Sequence, residues 1–188
     1  MAFSALLDAN VLYSAPLRDL LLRLAVTDLF RAKWSADIHD EWMRSLAAAR
    51  HDIPWARIES LRSQMDSHVR DALVDGYTPL ISSLTLPDSD DRHVLAAAIH
   101  GRVDLIVTCN LRDFPPAALA PFGIEAQHPD EFLCHQYDLA PDLVCAVVRE
   151  LRGSLKKPPL TVEQYLAMFE KHGLHKFVTA LRARASEL

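Results

Sequence analysis

The chain has 188 residues, of which 50% are hydrophobic and 24% charged, a composition typical of a globular protein with one moderately sized core. Its net charge of −5 argues against a broadly basic nucleic-acid-binding protein, whose affinity comes from neutralising phosphates. Residues 1–130 hold 12 basic and 18 acidic side chains, whereas residues 131–188 hold 8 and 7, so the acidic excess lies in the first part. No apolar run approaches the roughly 18 residues that span a bilayer, and no basic segment precedes the first strand, so we expect a cytoplasmic protein that does not bind membranes.

The number and spacing of the cysteines argue against disulfide bonds and against a zinc site. Cys109, Cys134 and Cys145 are odd in number and have no C-x-x-C spacing. Neither a disulfide framework nor a zinc knuckle is indicated, and we expect structural thiols.

The first part of the chain alternates between strand and helix patterns. The segment LLDANVLY at residues 6–13 starts with an apolar run, which predicts a strand that ends at Asp8. An amphipathic helix from Pro16 follows, then a short strand in FRAKWS and a helix that Ser35 caps. We expect a further helix over residues 54–76.

The clearest strand of the chain comes next. We expect a loop with a short strand at residues 79–81, a helix from Asp88 to Gly101, and then the apolar run VDLIVTCN, which is typical of a parallel strand covered on both faces. A weak strand is predicted over residues 123–127. The alternation predicts an α/β fold with a central parallel sheet flanked by helices.

Beyond Pro129 the pattern becomes purely helical. Four amphipathic segments follow one another: PDEFLCHQYD, APDLVCAVVRELRGSL, TVEQYLAMFEKHG and LHKFVTALRARA. We therefore divide the chain into an α/β domain at residues 1–130 and an all-helical C-terminal region at residues 131–188. The apolar faces of these helices must pack either on the first domain or on a partner.

Several acids are predicted to meet at one edge of the sheet. An ionised carboxylate at the end of a buried strand is costly unless it is compensated, so Asp8 is either a cap or part of a cation site. Parallel sheets bind ligands at the carboxyl ends of their strands, where Asp8 lies. At about 100° per residue, Glu41 lies beside the apolar stripe of its helix, and Asp91 lies near the centre of its packed face. Asp90 is a weaker candidate, and Asp88 takes the N-cap position.

The strand VDLIVTCN leads to the fourth acid. Thr108 and Asn110 leave this strand at its carboxyl end, and Asp113 follows on the next turn. Three or four converging carboxylates need a hard cation, and oxygen ligands suit Mg²⁺ or Mn²⁺. Each acid taken singly could equally be a helix cap or a surface residue; only their common placement predicts a metal site.

The segments LLDANVLY, SADIHDEW and DSDDRHVLAAAIHGRVDLIVTCNLRDFP resemble the successive acidic motifs of PIN-domain proteins, particularly VapC-like toxins with additional C-terminal helices. The resemblance covers about residues 4–127. It implies a PIN-like fold and a Mg²⁺-dependent endoribonuclease in which Asp8, Glu41 and Asp91 are the first three acids. It also implies an RNA substrate, a small VapB-like antitoxin that blocks the pocket, and often a homodimer.

The fourth motif departs from the family pattern. Many members carry Thr-x-Asp where this chain has Thr108-Cys109-Asn110. We therefore rank Asp113 above Asn110 as the fourth acid ligand. Asn10 and Thr108 match polar positions that orient the acids or a water molecule.

The chemistry that this site predicts needs no protein nucleophile. One or two divalent ions held by Asp8, Asp91 and Asp113, with Glu41 bound directly or through water, would activate a water molecule and stabilise the leaving oxygen. Arg112 on the same loop is a candidate phosphate contact, and equally a candidate for an inert surface residue.

Two alternatives stay open. A haloacid-dehalogenase-like phosphohydrolase also begins with a strand that ends in Asp, but it needs a second acid where this chain has Asn10, and a later Lys. Residues 34–155 contain no Lys. The other alternative is a catalytically inactive PIN-like binding module, because Asn110 replaces an acid.

Overall fold

The computed structural model describes residues 3–188 and contains a five-stranded parallel sheet flanked by helices. The strand order is β3-β2-β1-β4-β5, and each neighbouring pair is parallel. This confirms the predicted α/β architecture. The strands are β1 (Ser4–Leu7), β2 (Arg31–Ser35), β3 (Leu73–Val74), β4 (Leu105–Val107) and β5 (Glu125–Gln127).

Ten α-helices lie within the described residues, and none of them is long and apolar enough to cross a membrane. Ser35 caps its helix as predicted, since its hydroxyl accepts the N–H of Ile38 at 3.2 Å. The helices are α1 (Ala9–Tyr13), α2 (Ala15–Val26), α3 (Ala36–Ala49), α4 (Trp55–His68), α5 (Arg92–His100), α6 (Pro116–Leu119), α7 (Pro129–Leu139), α8 (Pro141–Ser154), α9 (Val162–Glu170) and α10 (His175–Arg182).

The central strand β1 brings the start of the chain into the middle of the molecule. Leu6 pairs with Lys33 of β2 on one side and with Ile106 of β4 on the other. Ala5, Leu6 and Leu7 are fully buried, which agrees with the apolar run of the sequence. The strand ends at Leu7, so Asp8 is the first residue beyond the carboxyl end of the sheet.

Two boundaries differ from the prediction around β3. The helix expected over residues 54–76 ends at His68. Asp71 takes a left-handed backbone conformation with φ of 55°, which breaks the helical path, and Leu73–Val74 then pairs with Trp34 and Ser35 as an edge strand. The sequence analysis did not predict the short helix α1 either.

The segment before α5 also differs. The short strand expected at residues 79–81 is a 3-10 helix over Thr78–Ser83, where Pro79 in the first turn presets a helical φ. The helix expected from Asp88 begins at Arg92, because the Asp88 carboxylate accepts the N–H of Asp90 at 2.9 Å and stabilises a turn instead. Asp91, not Asp88, takes the N-cap position.

The C-terminal helices pack on the α/β region and share its hydrophobic core. The ring of Phe132 in α7 meets Phe30 edge-on at 4.9 Å between centroids. Helices α8 and α9 pack against α2, with Val144 and Val148 of α8 fully buried. The apolar faces of this region are therefore covered by the first part of the same chain, while the division near residue 130 stays a prediction. All three cysteines are free thiols.

Asp130 joins the two ends of the helical region. Its carboxylate accepts the N–H groups of Lys176 at 3.0 Å and Phe177 at 2.9 Å. These groups belong to the first turn of α10, where the N-cap residue Leu174 makes no side-chain cap. Asp130 of α7 thus caps α10 from a distant position in the chain.

Replacing Asp130 tests this cap. Asp130→Ala leaves two N–H groups of α10 without an acceptor, so we expect the free energy of unfolding to fall by about 1–3 kcal/mol in urea denaturation. Asp138→Ala on the same helix is the control, since Asp138 is exposed and should change stability by no more than about 0.5 kcal/mol. Equal losses in the two variants would contradict the cap.

Candidate active site

Asp8 lies where β1 ends and α1 begins, and its side chain is 4% exposed. One carboxylate oxygen, Oδ1, accepts the N–H of Ala9 at 2.7 Å and caps α1. Burial raises the pKa of Asp8 and the charge of Glu41 adds to this, while the hydrogen bonds from Thr108 and Ala9 oppose it. The question of a cap or a cation site therefore has a first answer: Asp8 is a cap, and a second oxygen remains for other partners.

Two polar side chains fix that second oxygen. Oδ2 of Asp8 accepts the hydroxyl of Thr108 and the amide Nδ2 of Asn10, both at 2.7 Å. The amide oxygen of Asn10 in turn accepts the N–H of Cys109 at 3.0 Å, which joins α1 to the end of β4. A carboxylate has about four acceptor positions, so these three donors leave one for a ligand. Asn10 and Thr108 hold Asp8 in one orientation, as the sequence analysis expects.

Glu41 lies on α3, and His93 at the start of α5 contacts it. The distance from His93 Nε2 to Glu41 Oε1 is 3.4 Å. Burial lowers the pKa of His93, but Glu41, Asp37 and Asp8 outweigh that effect, so the pKa is raised overall. A protonated His93 therefore suits its acidic surroundings, and sequence reasoning gave it no part in the site.

A buried histidine fixes the orientation of α3 itself. His39 is fully buried, with its Nε2 at 3.0 Å from Asp66 Oδ1 and its Nδ1 accepting the indole N–H of Trp42 at 2.9 Å. Asp66 also accepts the indole N–H of Trp34 at 2.8 Å. Burial lowers the pKa of His39, and the contact with Asp66 opposes this. These contacts join α3 to α4 and β2, so Glu41 two residues further on has a defined direction.

Asp91 lies at the centre of the acidic group. Burial raises its pKa, and the negative charges of Asp8, Asp88, Asp113 and Glu41 raise it further, to about 7. Without a cation, the site therefore holds a proton on Asp91 near neutral pH. The four neighbouring carboxylates come from separate elements of the fold, so Asp91 is the point at which they converge.

Three of the acids are close enough to share one ion. Carboxylate oxygens of Asp88, Asp91 and Asp113 lie within 4.8 Å of one another. Asn110 donates an amide hydrogen bond to Asp113 and so orients it. This geometry gives Asn110 a positioning contact, while Asp113 contributes the negative charge.

A cavity of about 600 Å³ opens beside this cluster. Asp8, Glu41 and Asp91 line it together, and the remaining lining residues are Ala9, Asn10, Tyr13, Arg44 and Ser45. The carboxylates therefore face an accessible space rather than one another alone. An all-oxygen donor set of this charge fits a hard divalent cation such as Mg²⁺ or Mn²⁺.

The structure brings together most of the acids that the sequence singles out. Asp8, Glu41 and Asp91 share the cavity, and Asp113 lies with Asp91 in the three-acid group. Asp90 and Arg112 are exposed and belong to neither.

Sequence reasoning missed Asp88, which it placed at a helix N-cap. The run DSDD shows that several acids lie close together in the sequence, but helical periodicity does not predict the direction of a side chain in a turn. Tyr13 and Arg44 were also missed, since neither stands in an acidic motif.

The comparisons with known proteins agree with this geometry. The family model described as the PIN domain matches residues 4–112. The chain belongs to the PIN-domain family. A second family model, described as the VapC50 C-terminal domain, matches residues 129–183, which follow the PIN domain. The haloacid-dehalogenase alternative finds no support in these matches.

A curated relative of this PIN-domain chain comes from Mycobacterium tuberculosis (strain ATCC 25618 / H37Rv) and is named "Putative ribonuclease VapC50". It is 42% identical over 95 residues, which make up 50% of this chain and 56% of the relative. The match therefore spans about half the length of the relative. No solved structure matches the chain.

The proton on Asp91 predicts a pH-dependent gain in stability for one variant. The pKa of Asp91 is raised from an ordinary 3.8 to about 7, so the folded protein holds this proton more tightly than the unfolded chain. The contribution of Asp91 to the free energy of unfolding therefore falls as the pH rises from about 4 to about 7. In EDTA, Asp91→Asn should unfold at a higher urea concentration than the parent at about pH 8, and this difference should shrink steadily as the pH is lowered from about 7 to about 4.

The exposed Asp75 provides the comparison for this measurement. Asp75→Asn removes the same charge outside the acidic group, so its urea midpoint should track the parent at both pH values. If the difference between the urea midpoints of Asp91→Asn and the parent does not grow as the pH rises, burial and the neighbouring acids do not raise the pKa of Asp91 as described.

Proposed function

We propose that this chain is a divalent-metal-dependent endoribonuclease that hydrolyses RNA phosphodiesters. The observation that carries the proposal is the position of Asp91 among four other carboxylates beside an open cavity. Such a group tolerates full ionisation only with a cation present. Membership of the PIN-domain family supports the same assignment.

Asp8, Glu41, Asp91 and Asp113 are the proposed ligands, with Asp88 added on the geometry of its carboxylate. When bound there, Mg²⁺ or Mn²⁺ would supply Lewis acidity toward the scissile phosphate and the attacking water. The choice between these two ions is part of the proposal.

The neighbouring polar residues hold these acids for the reaction. Thr108 and Asn10 hold one oxygen of Asp8 in place. The free acceptor position of this carboxylate therefore faces the same way before and after RNA binds. His93 does the corresponding task for Glu41, and Asn110 for Asp113. Fixed charges that need no rearrangement during the reaction are the protein's own contribution to catalysis.

We also propose that the chain is the toxin of a VapBC-type toxin–antitoxin pair in the cytoplasm. The similarity to a protein named as a ribonuclease VapC50, and the match of residues 129–183 to the VapC50 C-terminal domain, support this. A VapB-like antitoxin could block the acidic cavity with a basic side chain, which five carboxylates would attract strongly. A homodimer belongs to the same proposal.

A catalytically inactive binding module is the competing function. It is favoured by Asn110, which stands where many family members have an acid. The proximity of Asp113 to Asp91 argues against it, since Asp113 supplies charge from the next turn. Tight binding of Mn²⁺ measured by calorimetry is expected of the enzyme and not of an inactive module.

Asp8→Asn tests the proposed chemistry. Losing one charged ligand should reduce Mn²⁺-dependent cleavage of total RNA by at least about 100-fold, since metal catalysis supplies several kcal/mol of transition-state stabilisation. Folding should persist at some cost in stability: the variant removes a buried charge and keeps one carbonyl oxygen as a cap for α1, but its amide group then faces the donors of Thr108 and Asn10. Circular dichroism checks the fold, and gel mapping of RNA ends checks the cleavage.

Asp75→Asn is the matched control, since it makes the same change at an exposed acid outside the site. It should cleave RNA at the parent's rate. Full activity of Asp8→Asn in buffer cleared of trace metal would sink the proposed function, as would a parent protein that leaves RNA intact with Mn²⁺.

A further inference from the structure

A second cavity adjoins the acidic one at Tyr13. It measures about 430 Å³ and is bounded by the start of α2, the end of α3 and the start of α4. Tyr13 lines both cavities, and its side chain is among the exposed large hydrophobic groups at 37%. We name this second space the arginine cavity, after Arg18, Arg50 and Arg57 in its lining.

We propose that the arginine cavity is an RNA subsite, in which a nucleotide next to the scissile phosphate stacks on Tyr13 while Arg44 and Arg57 contact the flanking phosphates. The proposal rests on the proposed endoribonuclease function and assigns the substrate-binding residues of that same site. Single-stranded RNA is recognised by this combination of an aromatic platform and basic side chains along a groove.

The state of each arginine decides which of them can bind phosphate. Arg50 is already neutralised by two hydrogen bonds to Asp52, at 2.8 and 2.7 Å. Arg57 is exposed and has no acidic partner within 4.0 Å among residues 3–188. Arg44, in the acidic cavity, makes only a 3.8 Å contact with Asp40 and is 76% exposed in its side chain.

Arg18 adds a fixed positive charge to the wall of the arginine cavity. Its side chain is 6% exposed, and its guanidinium donates to the carbonyl of Leu12 at 2.8 Å and lies over the ring of Trp42 at 5.6 Å. The Nε atom has no hydrogen-bond partner within the described chain, and the nearest carboxylate is Asp19 at 3.8 Å. The carbonyl of Leu12, the ring of Trp42 and Asp19, which also lines this cavity, compensate the cation only in part, so its remaining positive potential favours an anion in the adjoining space.

The position of Tyr13 connects the two cavities. It closes α1, whose first residues follow directly after Asp8. A strand of RNA with its scissile phosphate at the carboxylates would therefore pass the Tyr13 ring before it reached Arg57. The ring offers a face to any base, so the subsite positions the strand without demanding a sequence.

Another basic cavity lies at the opposite edge of the sheet and serves as the comparison. It measures about 830 Å³ and is lined by Arg31, Lys33, Arg70 and Arg102. The helices α2, α4 and α5 all end near it, and the partial negative charges of helix C-termini offset basic side chains. None of the five clustered acids lines it, so replacing its arginines tests whether a change in net charge alone alters RNA binding.

The experiment measures three quantities with a labelled single-stranded RNA of mixed sequence. Fluorescence anisotropy in EDTA gives the affinity and its salt dependence, and cleavage with Mn²⁺ gives KM and kcat. Tyr13→Ala should weaken binding about tenfold and raise KM with little change in kcat, while Tyr13→Phe should bind as the parent does. Arg57→Ala should lower the slope of log affinity against log salt by about 0.7, the value for one phosphate contact on a single strand.

The controls are Arg31→Ala and Arg70→Ala, which should leave affinity, salt slope and KM unchanged. Equal losses in the controls and in Arg57→Ala would overturn the proposal, as would Tyr13→Ala with the parent's affinity. A Tyr13→Ala variant that changes mass by light scattering but keeps its RNA affinity would also overturn it, and would make this surface a protein contact. A parent that binds RNA through Tyr13 but never cleaves it would sink the proposed function and leave the subsite standing.

Discussion

The repulsion between carboxylates around Asp91 is the constraint on which the rest of this structure depends. Five acids from four parts of the chain are held at one edge of the sheet, and burial together with their negative charges raises the pKa of Asp91 to about 7. The fold bears this cost because buried donors fix Asp8, and because the contacts of His39 with Asp66 and Trp42 hold α3. Stability and the capacity to bind a cation therefore oppose each other at Asp91.

A parallel sheet is what makes such convergence possible. Because β1 and β4 run side by side in the same direction, the residues that follow them meet at one edge, although 100 positions separate Asp8 from Thr108. The hydroxyl of Thr108 then reaches Asp8 directly. The buried contact of His39 with Asp66 extends this order to α3, so Glu41 is aimed by a part of the core that never meets the cavity.

Sequence predicted the features that periodicity governs. The apolar runs of β1 and β4, the cap at Ser35 and the inward side of α3 all follow from the pattern, and so does the common edge of Asp8, Glu41 and Asp91. The pattern failed where a local hydrogen bond or pairing with a distant strand determines the backbone conformation. The side chain of Asp88 stabilises a turn, so the helix begins later than the pattern predicts. The strand β3 forms because it pairs with Trp34 and Ser35, which lie far away in the sequence. The position of Tyr13 in a cavity wall depends on how three helices pack together, and the sequence of a single segment does not predict that packing.

The seating of α8 and α9 against α2 has a wider consequence. The same α2 supplies Arg18 and Asp19 to the arginine cavity. The C-terminal helices α8 and α9 thus support the part of the cavity wall that α2 forms. A chain that ended before α8 would expose the apolar side chains of α2 to water. Proteolytic removal of α8, α9 and α10 would then weaken this wall while leaving the five clustered acids in place.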